Sequence, residues 1–84
     1  MTDKSTHPKT IPLASHVKTA VMDYLERLSD SESDDLFALV IREVEKPMIE
    51  VTLEKVGHNQ SKAAKILGIS RSTLRKKIAQ YRIS

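Results

Sequence analysis

The long segment formed by residues 35–56 is predicted to be a helix that is apolar on more than one side. Its apolar residues are Leu36, Phe37, Leu39, Val40, Ile41, Val44, Met48, Ile49, Val51, Leu53 and Val56. A helix that is apolar over most of its circumference must be buried from several directions. The chain has 84 residues and no cysteine, so no disulfide stabilises so small a fold. The cover for this helix therefore has to come from other helices or from a second copy of the chain.

The apolar residues of this helix fall on two faces, which leads to a predicted homodimer. One face contains Leu36, Val40, Val44 and Val51, and the other contains Phe37, Ile41, Met48 and Leu53. The first face is within reach of an amphipathic helix predicted at residues 13–28. For the second face we predict a second copy of the chain across a two-fold axis, whereas the alternative is cover by the C-terminal helices. The predicted dimer core is Leu36, Phe37, Val40, Ile41, Val44 and Met48.

Residues 13–28 have the periodicity of a helix with one apolar face. Seven apolar residues follow one another there at steps of three and four: Leu13, Val17, Ala20, Val21, Tyr24, Leu25 and Leu28. The preceding residues 1–12 are polar and contain two prolines, so we predict a flexible tail. Residues 13–57 together are predicted to be the dimerisation helices.

The long helix carries signals at its start and in its interior. Ser33 or Asp34 is the expected N-cap, because short polar side chains accept hydrogen bonds from the first helical N–H groups. Pro47 lies in the interior, where proline removes one backbone hydrogen bond. We expect a kink at this point, and the alternative is two shorter helices that meet at Lys46.

The charges of the chain are divided between its two ends. Residues 58–84 contain seven lysines and arginines and no acid, whereas residues 1–57 contain all 11 acids and seven basic residues. A basic end of this kind indicates a polyanionic partner, with nucleic acid first. The alternative is a cationic helix face that is simply solvated.

Within the basic end, the pattern predicts a short helix at residues 59–67, a turn at 68–70 and a second short helix at 71–80. Gly57 is expected just after the long helix and Gly68 in the turn, since both positions favour a positive φ. Asn59 and Ser70 are the expected N-caps of the two short helices. The residues expected to pack the two short helices together are Ala63, Ala64, Leu67, Ile69, Leu74 and Ile78. Two short helices joined in this way are typical of a helix-turn-helix unit. The predicted fold class is therefore all-α, with four helices per subunit.

In such a unit the second helix enters the major groove of DNA with its N-terminal residues nearest the bases. Arg71 is long, basic and at the start of that helix, which suits bidentate contact with guanine. Ser70 and Thr73 are short donors for phosphate or a nearby base. Arg75 and Lys76 lie one turn later, where they reach backbone phosphate.

The sequence "GHNQSKAAKILGISRSTLRKK", together with "VEKP" before it, resembles the Fis family of small bacterial nucleoid and regulatory proteins. It is also similar to the C-terminal DNA-binding domain of NtrC-type activators. The resemblance covers about residues 13–83 and is densest from Glu43 onward. It implies an intertwined homodimer with a helix-turn-helix at each end. It also implies that the two recognition helices lie closer together than one DNA turn, so that the DNA has to bend. AT-rich centres are then favoured by their shape.

The resemblance also implies roles for single residues. Arg71 matches the base-reading arginine, and Asn59, Ser61, Thr73, Arg75 and Lys76 match positions that contact the DNA backbone. The full predicted DNA-binding set is Asn59, Gln60, Ser61, Lys62, Ser70, Arg71, Thr73, Arg75, Lys76 and Lys77. Two features depart from the family pattern. Ser70 replaces an asparagine of the best-known member. The N-terminal tail is about a dozen residues shorter than in that member, and for this reason stimulation of DNA invertases is not carried over.

The function predicted from the sequence is DNA binding and bending by a homodimer, in transcription regulation and nucleoid organisation. The alternatives are a stand-alone relative of the NtrC-type output domain and a module that binds protein or RNA. The three histidines are scattered, and no nucleophile has an orienting acid or a pocket, so we predict no metal, no cofactor and no enzymatic activity. The sequence contains no apolar run of membrane-spanning length, so we expect a soluble protein of the cytoplasm and nucleoid.

Overall fold

The computed structural model describes residues 12–28 and 35–84, and every regular element in these ranges is an α-helix. The four helices are α1 (Leu13–Arg27), α2 (Leu36–Lys55), α3 (Gln60–Leu67) and α4 (Arg71–Tyr81). The prediction of an all-α fold with four helices is thus confirmed. The chain divides into one unit that contains α1 and a second unit that contains α2, α3 and α4. The predicted tail, apart from Pro12, and both predicted N-caps of α2 lie outside the described residues.

Helix α1 is a single amphipathic helix. It begins directly after Pro12, whose carbonyl accepts hydrogen bonds from the N–H groups of Ser15 and His16 at 3.0 and 3.4 Å. Proline fits there because the first helical residues have no intrahelical acceptor for their N–H groups. Near the C-terminal end, the Arg27 guanidinium lies 2.9 Å from the Asp23 carboxylate on the exposed side. The sequence predicts this helix to within one residue.

Helix α2 continues through Pro47 without a break. The alternative of two shorter helices that meet at Lys46 is therefore wrong. Asp35 occupies the N-cap position of this helix, and its side chain makes no capping hydrogen bond. Beyond the proline, the Thr52 hydroxyl donates to the Met48 carbonyl over 2.8 Å, one turn away.

The core of the second unit lies where α3 and α4 pack against the C-terminal half of α2. Its buried residues are Ile49, Leu53, Ala63, Ala64, Leu74, Tyr81 and Ile83. Val56, Leu67, Ile69 and Ile78 are half-buried and pack against them. The residues predicted to join the two short helices are all confirmed in this role.

This core corrects one part of the sequence interpretation. The pattern assigns Leu53 to the apolar face that needs a second copy of the chain, yet this residue is buried within the subunit. The C-terminal helices therefore cover this part of the face, which is the alternative that the pattern left open. Two other residues of this face are exposed, Phe37 at 80% and Met48 at 46%, whereas Ile41 is half-buried.

Left-handed residues end three of the helices and set the directions of the connections. After α2, Gly57 and His58 have φ values of 63° and 66°, and the His58 N–H donates to the Leu53 carbonyl over 2.8 Å. After α3, Gly68 has φ 77°, and its N–H donates to the Ala64 carbonyl over 2.8 Å. Both acceptors lie in the last turn of their helix, where carbonyls lack a regular helical partner unless the chain turns back in this way.

We predict that Gly68→Ala costs about 1 kcal/mol of unfolding free energy and that Gly68→Asn costs less. An added Cβ would meet no atom within 4 Å, so the cost comes from the positive φ alone. Asparagine tolerates this conformation better than alanine does. Urea unfolding at one protein concentration measures both values. A larger cost for asparagine than for alanine would show that side-chain volume limits this position instead.

Candidate nucleic-acid interface

The N-terminal ends of α3 and α4 are fixed by side-chain caps. The Asn59 side-chain oxygen accepts a hydrogen bond from the Lys62 N–H over 3.1 Å, and the Ser70 hydroxyl accepts one from the Thr73 N–H, also over 3.1 Å. Both residues have extended backbone angles, as capping residues do. The two caps predicted from the sequence are confirmed, and they define where each short helix starts.

The fold brings the starts of these two helices together. The Arg71 guanidinium at the start of α4 donates to the Ser61 hydroxyl in the first turn of α3 over 3.5 Å. Beside this contact, the Ser70 hydroxyl lies 2.9 Å from the Thr73 hydroxyl and 3.2 Å from that of Ser72. A cluster of hydroxyl groups and one guanidinium thus forms on the surface, and it offers several hydrogen-bond donors to one ligand.

The predicted DNA-binding residues are mostly on the surface of the second unit. Asn59, Ser61, Lys62, Ser70, Arg71, Arg75 and Lys76 are exposed, whereas Gln60, Thr73 and Lys77 are half-buried. Neither α3 nor α4 has an acid in its first turn, so the positive ends of both helix dipoles stay uncompensated by their own residues. Exposed cations and two helix N-termini without a nearby acid on the same helix together favour an anionic ligand.

Sequence reasoning missed a polar cluster that joins α4 to α2, made of Glu45, Lys77 and Tyr81. One oxygen of the Glu45 carboxylate, Oε1, lies 2.8 Å from the Lys77 ammonium and 2.6 Å from the Tyr81 hydroxyl. Tyr81 is buried in the core, and its hydroxyl donates to Glu45. The sequence does indicate that Lys77 lies on the core side of α4, because it falls three residues after Leu74 and four residues before Tyr81.

These contacts shift the proton affinities of all three groups. The hydrogen bond from Lys77 is the main cause that lowers the pKa of Glu45 below its ordinary value of 4.5, and the Tyr81 bond adds to it. The same carboxylate raises the pKa of Lys77 above 10.5 and that of Tyr81 above 10.0. The carboxylate is thus ionised, and the other two groups protonated, over the whole neutral range.

Two other kinds of site are not found among residues 12–28 and 35–84. Within these ranges no three or more His, Asp or Glu side chains are grouped so that they could hold a metal ion. None of the helices described is both long enough and apolar enough to cross a membrane.

The fold and the surface define an all-helical protein of the helix-turn-helix class. The model of the family "Bacterial regulatory protein, Fis family" matches residues 40–81. A protein named DNA-binding protein Fis from Aliivibrio fischeri (strain MJ11) is 43% identical over 70 residues, which are 83% of this chain and 71% of that protein. The proteins of the same name from Histophilus somni (strain 2336) and Haemophilus influenzae (strain PittEE) are each 44% identical, with the same coverage.

The chain belongs to the Fis family. The resemblance noted in the sequence is thereby confirmed for the family itself. Membership of a family of bacterial regulatory proteins also confirms the prediction that the chain is not an enzyme.

We predict that Glu45→Gln lowers the unfolding free energy by about 1 kcal/mol at pH 7, because two hydrogen bonds lose their ionised acceptor. Since the folded-state pKa of Glu45 is lowered, its contribution is present above pH 4.5 and is lost as the pH falls through the folded-state value. Urea unfolding at pH 7 and at pH 3 should therefore show a smaller difference between the two proteins in acid.

The control for this experiment is Glu43→Gln, which neutralises an exposed carboxylate on the same helix. A difference between wild type and Glu45→Gln that stays constant from pH 7 to pH 3 would contradict the role assigned to the charge. The raised pKa values of Lys77 and Tyr81 also stabilise the fold, but the pH dependence of this stabilisation runs in the opposite direction. Their contributions are present below about pH 10 and are lost as the pH rises further.

Proposed function

We propose that this chain binds double-stranded DNA as a homodimer and bends it, in the service of transcription regulation and nucleoid organisation. The observation that carries the proposal is the exposed N-terminal turn of α4, where Arg71 lies beside the start of α3. This turn belongs to the region 58–84, which has seven basic residues and no acid. The names of the relatives, DNA-binding protein Fis, support the same function.

In this proposal α4 lies in the major groove, and Arg71 reads a guanine through its two donor nitrogens. The DNA backbone is bound near the starts of α3 and α4 by Asn59, Ser61 and Thr73, because the N–H groups and hydroxyls there favour phosphate. Arg75 and Lys76 reach phosphate from the outward side of α4. The remaining members of the proposed DNA-binding set are Gln60, Lys62 and Ser70. Lys77, which the sequence pattern also placed in this set, is left out of the proposed contacts because its ammonium is paired with Glu45.

The dimer is proposed because α2 has apolar side chains that α3 and α4 do not cover. Phe37 is 80% exposed and Met48 46% exposed, and both lie on the face of this helix that is assigned to the dimer. Large apolar side chains that are exposed together on one helix face mark a protein–protein interface. The proposed division of the chain is a tail at residues 1–12, dimerisation helices at 13–57 and the DNA-binding region at 58–84. We further propose that the protein acts in the cytoplasm, on the nucleoid.

A gel-shift titration with circularly permuted duplexes tests the function as a whole. We expect a discrete complex whose mobility depends on the position of an AT-rich site, because the DNA is bent. Its affinity should fall steeply with salt, with a slope of about −0.9 for each phosphate that the protein neutralises. The absence of any complex with duplex DNA at low salt would contradict the proposal. A parallel titration with single-stranded RNA would show whether the basic region binds RNA instead.

In the same titration, Arg71→Ala should lose about 1–3 kcal/mol of binding free energy per recognition helix, most on duplexes that carry the preferred guanine. The matched control is Lys65→Ala, which removes an exposed basic residue from the far end of α3. That change should cost less and should act equally on all duplexes. If Arg71→Ala binds every duplex as well as wild type does, the assignment of the base-reading residue is wrong.

We predict that Phe37→Asp abolishes the dimer and unfolds the chain at micromolar concentration. The change would be harmless in a monomer, since this side chain is already exposed, but it would bury a charge at the proposed interface. Ile66→Asp is the control, because Ile66 is 63% exposed and lies outside the proposed dimer core. Analytical ultracentrifugation and circular dichroism measure both properties. A well-folded monomer from Phe37→Asp would contradict a core shared between two copies.

A further inference from the structure

Lys76 and Lys77 are neighbours in the sequence but face different surroundings. A helix turns by about 100° per residue, so consecutive side chains point in different directions. Lys76 is exposed, and no carboxylate in the described ranges lies within ion-pair distance of it. Lys77 is half-buried, and its ammonium is 2.8 Å from Glu45. The two lysines thus differ in whether a protein carboxylate already neutralises them.

The Lys77–Glu45 pair is held more firmly than an ordinary surface pair. The side chains retain 28% and 24% of their full exposure, and the same carboxylate oxygen also accepts the Tyr81 hydroxyl at 2.6 Å. Tyr81 is itself part of the buried core. The carboxylate is therefore held in place by a buried residue, and Lys77 has to leave this carboxylate to reach another anion.

We propose that Glu45 withholds Lys77 from DNA phosphate and thereby limits the non-specific DNA affinity of the protein. The inference rests on the proposed DNA-binding function and deepens it. A lysine whose charge is already neutralised releases no counterion when DNA binds, so it contributes nothing to the salt-dependent part of the affinity. Phosphate contacts do not depend on base sequence. Glu45 is therefore a specificity-determining residue that touches no DNA.

The test measures the salt slope of binding to a duplex without a preferred site, for wild type and three variants. Lys76→Gln should make the slope shallower by about 0.9 for each phosphate that is no longer neutralised. The double variant Glu45→Gln/Lys77→Gln removes one charge of each sign and keeps amide groups that donate and accept. Its slope should equal that of wild type. Glu45→Gln alone frees Lys77 and should give a steeper slope and tighter binding at low salt.

The outcomes separate this inference from the proposed function. If the double variant loses as much slope as Lys76→Gln does, Lys77 is a phosphate ligand and the inference is overturned. If Glu45→Gln leaves the slope unchanged while its circular dichroism shows a folded chain, the carboxylate withholds nothing and the inference is likewise overturned. Failure of wild type to bind any duplex would overturn the proposed function as well, and it would be seen before any variant is compared.

Discussion

The position of α4 depends on how closely α3 packs against α2 and α4. Ala63 and Ala64 make this approach possible, because both are buried and neither fills more space than a methyl group. Leu74 of α4 is fully buried in the same cluster as Ile49 and the two alanines. Close packing of this kind allows little change of volume, since interiors are as dense as organic crystals. The direction in which α4 presents its first turn is therefore set in part by two buried alanines that are not members of the exposed hydroxyl cluster.

The features that the sequence predicted well are local. Asn59 and Ser70 as caps, and Gly68 as the turn, follow from rules that involve a few consecutive residues. The periodic apolar positions likewise placed Leu74 on the buried side of α4. Such features need no knowledge of which helix contacts which, so one chain without structure is enough to find them.

The features that the sequence did not predict connect distant parts of the chain. The contact between Glu45 and Tyr81 spans 36 residues, and nothing near either residue in the sequence identifies the other. Leu53 was placed on the wrong surface for the same reason, because helical periodicity gives a face but not the partner of that face. Ile83, beyond the last helix, was also not foreseen as a core residue. It is buried because Arg82 adopts a left-handed conformation and turns the chain back onto α4.

Helix α2 has two different environments along its length. Its buried residues, Ile49 and Leu53, lie in the C-terminal half, where α3 and α4 cover them. Phe37 lies in the N-terminal half and is exposed. Pro47 stands close to the boundary between the halves, and the helix nevertheless continues through it. Because α2 is continuous, the surface proposed for the dimer and the helix-turn-helix are joined by one helix. Glu45 and its bonds to Lys77 and Tyr81 then tie α4 to α2 at a second point, beyond the apolar core.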